Sequence, residues 1–187
     1  MKKLNRIVLV NWYLLGAEEI NIRGNTAIIG PTGSGKSSLL DAIQTVLTGA
    51  SKRHLNYNAS ANDGKASGRS IRSYILGMID AGQANTKSFG PQPRPDAVSY
   101  LGLVFEDSNT GNESTVGLCL SASLASPEED ILGRFVLPNY GVGKKDFIDA
   151  LEGRSFKAKP WLEVREALKK SCIDPYIKSG SASATQF

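Results

Sequence analysis

Gly30-Pro31-Thr32-Gly33-Ser34-Gly35-Lys36-Ser37 is the stretch on which the reading of this chain turns. It matches the pattern GxxxxGK followed by Ser or Thr at every fixed position. Working outward, Thr26–Ile29 predicts a short strand just before it, and Lys36–Leu47 predicts a helix just after it. Leu39, Leu40, Ile43, Val46 and Leu47 recur at helical spacing, and Gly49 comes next as a stop. Strand, glycine loop and helix in that order are the context that gives the motif its chemistry. The glycines let the backbone curl so that successive N–H groups face one point as an anion nest. The helix start adds unpaired donors and the positive end of its dipole. Gly30 through Ser38 therefore form the expected phosphate cradle. Lys36 reaches the outer phosphates, Ser37 offers a hydroxyl to Mg²⁺, and Ser38 supports the inner phosphate. A nucleoside triphosphate, read as ATP, is the ligand that these parts fit.

Further out, Asn5–Val10 and Glu19–Ile22 predict two more strands, with a turn at Arg23–Asn25 before Thr26. Arg69–Met78 carries a short helical pattern. Val98–Glu106, Ser114–Leu124 and Arg134–Leu137 read as strands, and Asp107–Asn112 as the hairpin turn joining the first two. Helical patterns close the chain near Lys144–Leu151 and at Trp161–Ser171. Residues 51–68 and 80–96 read as exposed loops, the second interrupted by Pro91, Pro93 and Pro95. The small polar residues Ser179–Gln186 read as the end of a fragment. Leu101–Asp107 ends in Glu106-Asp107 and superficially resembles a Walker B strand. The hairpin turn after it favours an ordinary antiparallel strand.

Bulk properties bound the rest. The chain has 187 residues, which is room for one domain, and its 41% hydrophobic and 21% charged content is that of an ordinary globular protein. No apolar run approaches the ~20 residues of a membrane span, so the cytoplasm is the expected location. Cys119 and Cys172 lack CxxC spacing and read as buried thiols, while His54, the sole histidine, argues against a histidine-based metal site or a Ser–His triad. The net charge of +4 is uneven, because residues 1–80 hold 10 basic against 5 acidic side chains. That imbalance fits contact with a polyanion as readily as a solvated lysine-rich surface. Lys52, Arg53, Lys65 and Arg69 make a basic loop with both readings open.

Three stretches resemble the N-terminal head segment of SMC-like ATPases, in the branch of MukB, MksB and the Wadjet protein JetC. These are Leu9-Val10-Asn11-Trp12-Tyr13, the run from Ile28 to Leu47, and Arg69-Ser70-Ile71-Arg72-Ser73-Tyr74-Ile75-Leu76-Gly77. The similarity is clear over residues 4–80 and diffuse over 98–137. One departure is Thr32, where that branch usually has Asn. A second is that no glutamine (Gln83, Gln92 or Gln186) stands in a telling Q-loop context.

The resemblance implies an α/β P-loop fold of ABC/SMC type, in which residues 1–187 form the N-terminal lobe of a head. In that lobe a mixed sheet flanks the P-loop helix and an antiparallel strand set packs to one side. It further implies that the signature motif, Walker B strand and catalytic glutamate come from a C-terminal lobe after a long coiled coil. ATP then drives two copies of the head together in a DNA-organising or plasmid-defence complex. The partners implied are a kleisin, a winged-helix subunit, in Wadjet systems a nuclease, and DNA, without a membrane. Arg72 joins Lys36 as an expected catalytic side chain, and Lys52, Arg53, Arg69 and Arg72 are the expected DNA contacts. Trp12 is expected near the adenine or in the core, the core being favoured. Rival readings are a RecF- or RecN-type repair ATPase, a self-contained small kinase or GTPase, and a transporter nucleotide-binding subunit. The kinase or GTPase reading lacks a base-recognition motif and a convincing Walker B strand here, and the N-terminal strand pattern fits a transporter subunit less well.

Overall fold

A computed structural model describes residues 1–22, 24–55, 57, 69–78, 92–151 and 155–180. Six strands form one sheet: β1 (Lys2–Trp12), β2 (Leu15–Asn21), β3 (Asp96–Asp107), β4 (Glu113–Ser123), β5 (Glu129–Leu137) and β8 (Tyr176–Ser179). Their spatial order is β2-β1-β3-β4-β5-β8, and each neighbouring pair is antiparallel. A separate hairpin joins β6 (Ile148–Ala150) to β7 (Phe156–Ala158). The helices are α1 (Lys36–Leu47), α2 (Ile71–Leu76) and α3 (Trp161–Ser171). Among the described residues, no helix is long and apolar enough to cross a membrane.

The unbroken apolar run Ile7–Val10 is explained by burial on both faces of β1. Ile7 and Leu9 join Leu101, Leu103, Leu118 and Leu120 under α1 and α2, where Leu39, Ala42, Val46, Ile71 and Ile75 complete one core. Val8 and Val10 join Tyr100, Val104, Cys119 and Phe135 on the opposite face, covered by Val142, Phe147 and the α3 residues Val164 and Leu168. The sheet is thus the middle of three layers. Gly117 in β4 makes room for the second core, since a Cβ there would lie 2.3 Å from the Phe135 ring. Cys119 and Cys172 are free and buried, as their isolated spacing suggests.

Helices α1 and α3 begin and end where their sequence patterns predict. Three expectations are corrected. Thr26–Ile29 forms no strand among the described residues; it is an exposed segment outside the sheet, with no neighbouring strand to complete a ladder. The sheet is likewise antiparallel throughout rather than mixed: short turns join β1 to β2, β3 to β4 and β4 to β5, and the long connections into β3 and β8 also bring those strands back antiparallel. Lys144–Leu151 is not helical either. The Asp146 carboxylate accepts from the Gly143 N–H at 2.7 Å and closes a single 3₁₀ turn, Lys144–Asp146. After that turn Phe147 is driven into the core and the chain enters β6. Strands β7 and β8 have too few residues to stand out in the sequence. Of the expected loops, residues 58–68 and 79–91 lie outside the described residues, as do residues 181–187, whereas Ser179 closes β8.

Candidate phosphate-binding site

The site begins with two backbone angles. Gly33 has φ +84° and Gly35 φ +88°, in the left-handed region that side chains disfavour. Between them the Ser34 N–H returns to the Pro31 carbonyl at 3.2 Å, curling the loop. Gly35 is the N-cap of α1 and caps it with no side-chain hydrogen bond, and the first turn holds no acidic residue. The helix start therefore presents backbone donors and a positive dipole end with no built-in anion to compete. Lys36 donates to the carbonyls of Gly30 and Pro31, each at 2.7 Å, with the Ser34 hydroxyl at 3.5 Å. This holds the ammonium at the mouth of the loop. Gly30, Pro31, Thr32, Gly33 and Ser34 are exposed, Lys36 and Ser37 half-buried, and Ser38 buried. The donor set fits a polyphosphate, with the Ser37 hydroxyl as the side-chain ligand available to Mg²⁺.

Behind the loop lies a buried polar cluster that the motif does not announce. Asp41, on α1, accepts a hydrogen bond from the Tyr74 hydroxyl of α2 and lies 3.8 Å from the Arg69 guanidinium. Burial pushes the Asp41 carboxyl above its ordinary value, while the Tyr74 hydrogen bond and the Arg69 charge oppose the shift. Burial likewise raises the phenols of Tyr57 and Tyr74. Thr45 and Tyr57 share a 2.7 Å hydrogen bond beside them. The one signal in the sequence is a carboxylate inside an apolar helix, which demands a partner. Trp12 is 0% exposed and stacks on Tyr74 with ring centroids 4.5 Å apart. It occupies the core rather than an adenine pocket.

Most of the remaining candidates point elsewhere. Arg72 donates to the carbonyls of Ser126 at 2.9 Å and Ser123 at 3.1 Å, so its guanidinium holds the β4–β5 turn. Lys52 pairs with Glu129 at 3.1 Å, Arg53 is exposed, and Lys65 lies outside the described residues. Gln92 is exposed, and Gln83 and Gln186 lie outside the described residues. Glu106 and Asp107 end β3 at its hairpin, as expected of an ordinary strand. Asp107 pairs with Lys2 in the ladder, whereas Trp12, ten residues along β1, donates to Ser38 of α1. That run of strand spans about 33 Å, so neither carboxylate belongs to the phosphate site.

No curated protein matches the chain significantly. Residues 4–64 match the family described as the P-loop containing region of AAA domain. That stretch takes in β1 from Leu4 onward, β2, the glycine loop and α1. Proteins with this loop bind nucleotide, generally with Mg²⁺, and residues 4–64 supply a P-loop NTPase region of that kind.

Proposed function

We propose that the chain is the N-terminal lobe of an SMC-like ATPase head, binding Mg·ATP at Gly30–Ser38. A C-terminal lobe supplies the signature motif, the Walker B strand and the catalytic glutamate. ATP then joins two copies of the head in a DNA-organising or plasmid-defence complex with kleisin, winged-helix and nuclease partners. One observation carries the reading: α1 is apolar on two sides and covered on one. Leu39, Ala42 and Val46 face the antiparallel sheet, whereas Leu40 and Leu47, seven residues apart, are 52% and 63% exposed. Ile29, which leads into the loop, is likewise 89% exposed. An apolar stripe wider than the surface that covers it fits a helix packed within a larger body, and in the proposed head Thr26–Ile29 joins a sheet there. A self-contained kinase or GTPase would carry its own strands there.

In this reading the backbone donors of residues 33–38 orient the phosphates and Lys36 turns from the loop carbonyls to the outer phosphates. Mg²⁺, held through Ser37, supplies charge neutralisation between phosphate oxygens. Arg72, Arg69, Lys52 and Arg53 retain a proposed role toward nucleotide or DNA once heads engage.

Calorimetry with Mg·ATP tests the site. Lys36→Ala deletes charge-assisted contacts worth roughly 1.5–3 kcal/mol each, so affinity falls at least about tenfold while the ligand-free unfolding midpoint stays put. The chain alone turns over far below the ~10 s⁻¹ typical of enzymes. Unchanged affinity in Lys36→Ala refutes the site, and brisk turnover by the chain alone refutes the half-head.

A further inference from the structure

Trp12 sits on the wrong face for its strand. Along β1, Val8 and Val10 face the α3 side, so regular alternation sends residue 12 the same way. Instead Trp12 joins the core beneath α1 and α2. The residue between them, Asn11, has φ +53°, and its side-chain amide donates to the Val98 carbonyl at 2.8 Å. A left-handed residue inside a strand re-aims the side chain after it, and Asn is among the few residues that tolerate the conformation. The strained turn delivers the indole to the P-loop helix.

There the Trp12 indole N–H donates to the Ser38 carbonyl at 2.8 Å. That carbonyl shares its peptide unit with the Leu39 N–H, which donates to the Gly35 carbonyl at 3.0 Å. The Gly35 carbonyl shares its peptide unit with the Lys36 N–H, a donor of the nest. The three groups form one head-to-tail chain: indole, peptide 38–39, peptide 35–36. Each hydrogen bond in such a chain polarises the next. Stacking on Tyr74, whose hydroxyl is tied to Asp41, fixes the ring plane.

We infer that Trp12 is a positioning residue of the phosphate site, aligning and polarising the first turn of α1 through the Ser38 carbonyl so that the Lys36 N–H is a stronger phosphate donor. The inference rests on the phosphate reading of the loop. It does not depend on an SMC-like partner. The Ser38 carbonyl sits within α1, so losing the indole does not strip it of every donor, and the effect falls on the nest more than on folding.

Trp12→Phe keeps an aromatic ring and removes the N–H. Two measurements test it: calorimetry with Mg·ATP and with Mg·tripolyphosphate, and the Lys36 amide proton shift in the ligand-free chain. Affinity for both ligands falls by the same factor, bounded by the roughly tenfold that losing a whole hydrogen bond would bring, and the Lys36 amide moves upfield. Tyr100→Phe, which removes a buried phenol hydrogen bond in the core on the opposite face of the sheet, leaves that amide and tripolyphosphate affinity near wild type. If Trp12→Phe does not fold, β-(3-benzothienyl)alanine at position 12 keeps the bicyclic shape without an N–H and is measured in the same way. An unmoved Lys36 amide, or wild-type tripolyphosphate affinity in a folded variant, overturns the inference. Failure of the wild-type chain to bind either ligand refutes the phosphate reading itself, and the amide shift still reports on the hydrogen-bond chain.

Discussion

Asp41 is a buried carboxylate just past the first turn of the helix that Lys36 begins, and it makes a sign-definite prediction. Its pKa is raised above the ordinary 3.8, with burial the largest cause. A raised carboxyl binds its proton more tightly in the folded state. Its contribution to stability is therefore full below the unfolded value and is lost as pH rises through the folded one. Asp41→Asn keeps an oxygen to accept from Tyr74 and cannot titrate. The destabilisation caused by Asp41→Asn should accordingly be larger near about pH 4 than near about pH 7.5, read from urea midpoints at both. A penalty that grows with pH would mean that Tyr74 and Arg69 outweigh burial. At this scale the chemistry of the motif was legible in the sequence, and little else was. The roles of Gly33, Gly35, Lys36 and Ser37 come from the local pattern, because a glycine loop carries its own geometry. The Asp41–Tyr74–Arg69 cluster and the Trp12 hydrogen bond join residues far apart in the chain, and no local spacing encodes them.

The elements divide by the same logic. Helices α1 and α3 were legible because their apolar spacing and end signals lie within one segment. Thr26–Ile29 was misread because a strand exists only where a neighbour completes its ladder, and no such neighbour is present among the described residues. Lys144–Leu151 was misread because the Asp146–Gly143 cap and the burial of Phe147 override a weak helical pattern. For the loop-to-helix junction, Gly35→Ala is a clean probe. A Cβ at Gly35 would meet no atom within 4 Å, so its cost is backbone strain at φ +88° rather than a clash. That strain is about 1–2 kcal/mol, and the helix start can relieve part of it by rotating its first peptide out of the nest. The expected result is a modest drop in the denaturation midpoint together with several-fold weaker Mg·ATP binding. A lowered midpoint with unaltered binding would show that the Gly35 conformation serves folding alone.

For the whole molecule, the question is what lies over the uncovered side of α1. The sheet buries both of its faces between α1/α2 and α3, so the described residues already make a three-layer body. Ile29, Leu40 and Leu47 remain outside it: Ile29 immediately precedes the phosphate loop, and Leu40 and Leu47 lie seven residues apart on one side of α1. In the proposed head, a second lobe lays its own strands against residues 26–29 and its side chains against Leu40 and Leu47. Ile29→Asp separates this from internal packing. Because Ile29 is 89% exposed, the substitution should move the stability of the chain alone by no more than about 0.5 kcal/mol, and Mg·ATP should still bind. In the assembled head the same charge would have to be buried without a partner, a cost of several kcal/mol, so ATP turnover and lobe association should collapse together. Equal turnover in the assembled head would remove the second lobe from this face. A large loss of stability in the chain alone would instead show that Ile29 packs within this lobe, leaving α1 covered by its own chain.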